Sequence, residues 1–213
     1  MTLWYLGRAA GIVSLVAFTI ATTLGAMGSS AGSRGDLGRA RRRFLQQYAH
    51  RAAAVVGLGT LVVHIGSLTV LDNRSGVGLR SIVIPLSSTY RPFAVTLGAL
   101  ALWTIAFTAV VGATRGRLAA SVSASRRWRL LHLAGYAGWV LLIGHSLLAG
   151  TDVRTPWLLG LELGCIAAVL AAVAARLNSE SRRRRGSLAL GRRQLASTPV
   201  RVKESVPAPR NHR

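Results

Sequence analysis

The sequence predicts an all-α protein, an integral membrane bundle of five transmembrane helices with the N-terminus outside and the C-terminus cytoplasmic. Three observations predict it. Of 213 residues, 51% are hydrophobic and only 15% are charged, where a soluble domain carries about a quarter. Basic residues number 27 against 6 acidic ones. They sit in Arg-rich blocks between apolar stretches about 20 residues long, the length a spanning helix needs.

This pattern excludes an ordinary soluble enzyme and a wholly disordered basic protein. A net charge of +21 invites a nucleic-acid reading, but these charges flank apolar segments, as on the cytoplasmic side of membrane proteins. A lipid bilayer is therefore the expected partner, and nucleic acid is not. The single cysteine, Cys165, excludes a disulfide framework, a Cys-based zinc cluster and a thiolate-held iron–sulfur cluster within this chain. Abundant Arg and Ala with almost no Lys is the usage of a GC-rich bacterial genome, so the expected location is a bacterial inner (plasma) membrane.

The first span is Leu3 to Met27, interrupted only by Arg8. The second is Tyr48 to Leu71, with Arg51 near its start. The third, Ala94 to Ala113, carries no charge. The fourth is Leu130 to Ala149, and the fifth is Trp157 to Ala175, with Glu162 inside it. Orientation follows from the Arg distribution. Connections 28–47 and 114–129 and the segment after the fifth span hold most of the basic residues. With the span-end arginines assigned, 22 basic residues fall inside and 5 outside, which sets N-out, C-in by the positive-inside rule. A cleaved signal peptide carries its positive charge before the apolar run; here the cluster follows it, so the first helix is expected to be retained. The outer connection 72–93 holds a short apolar centre, Leu79 to Leu86, expected to lie in the membrane interface. Residues 1–176 form the expected membrane domain. Residues 177–213, rich in Arg, Ser, Gly and Pro, are expected to be a disordered cytoplasmic tail. Its run Arg182 to Arg185 suits either anionic headgroups or a plain stop-transfer block.

Four of the five histidines fall in spans: His50 and His64 in the second, His132 and His145 in the fourth. Polar residues within a membrane are costly and face the protein interior or a functional path. One helix separates the second span from the fourth, so the two run parallel. His50 and His132 lie near their cytoplasmic starts, and His64 and His145 lie toward the other face. Two cross-helix pairs result, about 20 Å apart along the bundle. Two imidazoles facing across a porphyrin are what bis-His ligation of a b-type haem requires, so haem b is the expected cofactor: two expected, with one as the alternative. A proton relay or a transition-metal path is the competing use of the same residues.

Rotation tests the pairing. Fourteen residues from His50 to His64 fall about 40° short of four turns, so they share a face. Thirteen from His132 to His145 leave about 140° between them on an ideal helix, so the fourth helix must tighten or its two sites must be approached from different angles. Gly135, Gly138 and Gly144 are placed to ease such a distortion. Gly57, seven residues from both His50 and His64, suits either a macrocycle against the backbone or ordinary helix packing.

The quartet resembles the ferric reductase-like transmembrane domain family. That family includes the membrane haem domains of ferric reductases and NADPH oxidases and the haem-binding subunit of the periplasmic methionine sulfoxide reductase system. The spacing of His50/His64 and of His132/His145 matches the family's, including the thirteen-residue step. The phrases Trp4-Tyr5-Leu6-Gly7-Arg8, Ser88-Thr89-Tyr90-Arg91-Pro92 and Trp128-Arg129-Leu130-Leu131-His132-Leu133 are similar to those of bacterial members. The resemblance covers residues 1–176. It implies that His50 and His132 hold an inner haem and His64 and His145 an outer one. Larger members have six helices and a cytoplasmic flavin and nicotinamide domain. The 37 residues after Arg176 are too few for that domain, and no glycine-rich dinucleotide fingerprint is present. The electron donor is then a separate cytoplasmic reductase or a quinol, and the acceptor is periplasmic or extracellular.

The expected function is a membrane b-type cytochrome, the electron-transfer subunit of a membrane oxidoreductase. The rival is a non-redox multi-pass protein, a transporter or assembly anchor, using the same His for packing or proton transfer. Haem propionates need cationic partners: Arg8 and Arg91 are the candidates for the outer haem, Arg51 and Arg129 for the inner. Arg8 and Glu162 interrupt their spans at matching depths, so they are also expected to pair. The competing arrangement sends Arg8 to a propionate and leaves Glu162 bonded to Arg154 or a hydroxyl.

Overall fold

The computed structural model describes residues 2–28, 37–71, 76–115, 122–150 and 155–197. Every regular element among them is helical: α1 (Thr2–Met27), α2 (Leu37–Thr69), α3 (Arg80–Val83), α4 (Pro92–Ala113), α5 (Val122–His132), α6 (Ala134–Ala149) and α7 (Pro156–Ser197). Five helical stretches are long and apolar enough to cross a membrane: Leu3–Met27, Ala40–Thr69, Pro92–Ala113, Ser123–Ala149 and Pro156–Ala189. The second, fourth and fifth begin earlier or end later than the apolar runs alone predict, always at their Arg-rich ends. Arginine is a good helix former, so the helix outlasts the apolar run.

The chain divides into two units, Met1–Arg176 and Leu177–Arg213. In the second unit, where composition leads one to expect disorder, α7 continues as helix to Ser197. Arg, Leu and Ala make up 12 of the 21 residues of 177–197 and no proline interrupts it before Pro199, so intrinsic propensity outweighs the polar composition. Residues 198–213, with Asp72, Arg74, Asp152 and Arg154, lie outside the described residues.

The first unit is built from two antiparallel helical hairpins. α1 packs chiefly on α2, and α4 chiefly on α6. The hairpins meet mostly through α1 and α6, whereas α2, which carries His50 and His64, does not pack closely on α5 or α6, which carry His132 and His145. Between them lies an apolar core that includes Leu15, Phe18, Leu61, Ile105, Trp139 and Leu142. Trp139 Nε1 donates to Thr19 Oγ1 at 2.9 Å and ties the hairpins at mid-height. α7 buries Leu158, Glu162, Cys165, Val169 and Ala172, a spacing of three and four residues that makes one helical stripe.

Residues 76–91 pack along the side of α4. Trp103, eleven residues or about 16 Å into that helix, donates from Nε1 to the Ile82 carbonyl at 3.0 Å. Thr96 Oγ1 accepts from the Leu86 amide at 2.9 Å. The segment ends at Arg91, whose φ of 39° is left-handed. Pro92 follows it, and proline disfavours the α region for the residue before it.

Candidate cofactor site between the histidine pairs

The structure brings the four histidines together as two cross-hairpin pairs. The imidazole centroids of His50 and His132 are 6.1 Å apart with planes inclined at 68°. Those of His64 and His145 are 6.3 Å apart at 76°. A metal–imidazole bond of ~2 Å, plus about 1 Å from nitrogen to ring centre on each side, spans ~6 Å. Each pair is therefore spaced for one metal atom between two rings.

Three of the rings are oriented by the same device. Nδ1 of His50 lies 2.8 Å from the Ala21 carbonyl. Nδ1 of His64 lies 2.7 Å from the Gly7 carbonyl, and Nδ1 of His145 lies 2.7 Å from the Ala94 carbonyl. A carbonyl only accepts, so each Nδ1 carries the proton and each Nε2 keeps its lone pair. This is the tautomer a metal ligand requires, with the second nitrogen donating to a backbone acceptor.

One turn beyond each carbonyl stands a glycine that makes room for the ring. A Cβ on Gly11 would lie 2.8 Å from His64 Nδ1, and one on Gly98 would lie 2.7 Å from His145 Nδ1. Gly25 and Gly112 stand in the same relation to His50 and His132, with closest approaches of 3.4 and 3.3 Å. Gly11 and Gly25 are fourteen residues apart, as are Gly98 and Gly112. α1 and α4 thus repeat the step of the His50/His64 helix. These four glycines escape a reading centred on the histidines; their matching fourteen-residue spacing was the available signal.

Gly57 resolves toward helix packing. A Cβ there would meet the Phe18 ring at 2.9 Å, and its carbonyl accepts from Ser14 Oγ at 3.0 Å. Gly135, Gly138 and Gly144 face Thr108, Ile105 and Leu97 of α4. They serve close hairpin packing, while the tightening of the fourth span occurs at Leu133. The Leu133 amide is shared between the Arg129 and Leu130 carbonyls, each at 3.1 Å, and the Tyr136 amide reaches Leu133 at 3.0 Å. Bonds three residues back overwind the helix, in the sense the thirteen-residue step demands.

An apolar cavity opens at the His64–His145 pair. Gly11, Gly98, Leu61, Leu142 and Leu158 line it, and Val77, Ser81 and Ile82 close one side. Arg8 also lines it, with its guanidinium 5.9 Å from the Trp4 ring centroid. Arg91 does not. Its Nη1 donates to the Leu148 carbonyl at 2.7 Å and the Gly150 carbonyl at 3.2 Å, closing the C-terminus of α6. The side chains of Arg51 and Arg129 are exposed. Of the four arginines read as propionate partners, the cavity includes one.

The expected Arg8–Glu162 pair is replaced by a hydroxyl bond. Glu162 is fully buried, and its Oε1 accepts from Ser146 Oγ at 2.5 Å, within the range of a hydroxyl–carboxylate bond. Its Oε2 has no hydrogen-bond partner. The α7 stripe turns Glu162 toward α6, where Ser146 follows His145 directly. Replacing Ser146 with Ala strands both carboxyl oxygens and is expected to destabilise the protein by about 1–3 kcal/mol. Glu162→Gln keeps a partner for Ser146 and is expected to cost less. Thermal unfolding in detergent checks both, and an unchanged Ser146→Ala transition contradicts the assignment.

Among the described residues, no group of three or more His, Cys, Asp or Glu side chains is placed to hold a metal ion. A metal between either imidazole pair must take its other ligands from elsewhere, as iron does in a porphyrin. No family model matches the chain, and neither a curated protein nor a solved structure shows significant similarity to it.

Proposed function

We propose that the chain is a multi-pass membrane cytochrome of the b type that carries electrons across a bilayer through two bis-histidine haems. The observation that carries this reading is the pair of imidazole gaps, 6.1 and 6.3 Å between centroids. Backbone-bonded Nδ1 atoms support it, since they leave Nε2 available in three of the four rings. When bound, haem would be held by His50 and His132 at one level and by His64 and His145 at the other, and would supply reversible one-electron chemistry. The chain's own part is to fix the rings, exclude water and separate the two sites. Leu15, Phe18, Leu61 and Trp139 form the dry layer between them. Arg8 is the propionate partner best supported at the His64–His145 site, since it lines that cavity.

In this reading the N-terminus is outside, the C-terminus is cytoplasmic, and the membrane is a bacterial inner membrane. The chain sits beside the ferric reductase-like transmembrane domains, taking electrons from a separate cytoplasmic reductase or a quinol and passing them to a periplasmic or extracellular acceptor. The 22-to-5 division of basic residues predicts that a C-terminal reporter works only in the cytoplasm. A reporter active only in the periplasm contradicts this orientation.

Reconstitution tests the electron conduit. Lipid vesicles containing the protein and a trapped reductant are expected to reduce external ferricyanide, while protein-free vesicles do so only slowly. Equal rates with and without the protein would overturn the function and favour a non-redox transporter or anchor.

A further inference from the structure

His132 departs from the device that orients the other three imidazoles. Its Nδ1 is buried and lacks a hydrogen-bond partner. The Thr108 carbonyl stands in the corresponding place but makes only a weaker contact, short of hydrogen-bond geometry. The cause is legible in the spacing. The carbonyls that serve the rings repeat every fourteen residues, Gly7 to Ala21 on α1 and Ala94 to Thr108 on α4. His50 and His64 keep that step, but His132 and His145 are thirteen apart. With His145 in phase at Ala94, His132 arrives out of phase at Thr108 and its Nδ1 stays unpartnered despite the overwound turn at Leu133.

Another contact fills the gap. The Trp128 ring stacks on His132, with centroids 5.1 Å apart and planes inclined at 15°. The two residues are four apart on α5, so they share a face. Trp128 is itself fixed, since its Nε1 donates to the Val111 carbonyl at 2.7 Å. The Arg115 guanidinium covers it at 5.1 Å from a ring centroid. Among the described residues, no other imidazole has a stacked aromatic ring.

We propose that Trp128 is the positioning residue of His132, replacing by stacking the hydrogen bond that the thirteen-residue step denies it. The inference rests on the haem reading above. It makes His132 the most easily displaced of the four ligands. A ligand imidazole without an Nδ1–H···O=C bond is a weaker donor, and here its orientation depends on one side chain.

The test is carbon monoxide binding to the reduced protein, read with the low-spin ferric signals in electron paramagnetic resonance. In the wild type both haems are expected to stay low-spin. Trp128→Leu is expected to lose the low-spin signal of one haem and to bind carbon monoxide at that haem alone. The unchanged His64–His145 signal shows that the variant is folded. Trp128→Phe, which keeps a flat ring, is expected to restore the wild-type spectrum. If Trp128→Leu loses both haems, Trp128→Met decides: it keeps bulk without a stacking face, and carbon monoxide binding at one haem supports the assignment. Wild-type spectra in the Leu variant, or in the Met variant when that decides, or loss of both haems in both variants, overturn the role of Trp128 and leave the haem reading standing. A wild-type protein without haem overturns both.

Discussion

Replacing His64 or His145 with Ala is expected to remove one haem and leave the other, halving the haem content. Replacing His50 or His132 is expected to remove the other haem instead. The pairs are discrete: His64 faces His145 at 6.3 Å and His50 faces His132 at 6.1 Å. The two levels are about 20 Å apart along the helices, with the Trp139 layer between them. Losing one ligand therefore has no direct route to the other level. Redox titration of each variant reads the result. If a His50 variant and a His64 variant lost the same haem, the pairing would be wrong.

Substituting the glycines behind the rings is expected to have the second largest effect, in a definite order. Gly98→Ala and Gly11→Ala place a Cβ at 2.7 and 2.8 Å from an imidazole. No real Cβ sits that close, so the ring must leave its carbonyl. Overpacking of this kind costs about 1–3 kcal/mol, and the His64–His145 haem is expected to be lost or weakened. Gly25→Ala and Gly112→Ala, at 3.4 and 3.3 Å, are expected to act more mildly and on the other haem. At Gly59 and Gly66 an added methyl would meet nothing within 4 Å. Alanine there is expected to keep both haems and to stabilise the helix slightly, by up to about 1 kcal/mol. Haem content after mild heating ranks the six variants. Equal losses at Gly98 and Gly59 contradict the account.

The coarse architecture was legible because membrane spans are written in composition. Five apolar runs became five helices of spanning length, and the large shifts were all at their Arg-rich ends. The histidine pairs were legible for a related reason. Depth follows from position in a span, and parallel direction follows from counting helices, so two pairs could be named without side-chain detail. What stayed hidden depends on rotation and on neighbours. Gly57 has the right spacing for a cofactor face, but Phe18 occupies that space. Arg91 has the right position for a propionate, but its Nη1 bonds the carbonyl end of α6 and it does not line the cavity. Glu162 has the right depth for Arg8, but the α7 stripe turns it to Ser146. The thirteen-residue step was visible as a strain on the fourth span. Its consequence at His132 emerged only beside the fourteen-residue repeat of α1 and α4.

Haem stoichiometry of the purified chain tests the central claim most directly. The protein is expected to be red, with a b-type reduced-minus-oxidised spectrum and two haems per chain by pyridine haemochrome. One haem would mean that a single pair is used. A protein that folds, inserts and binds none after haem-replete expression would contradict the account.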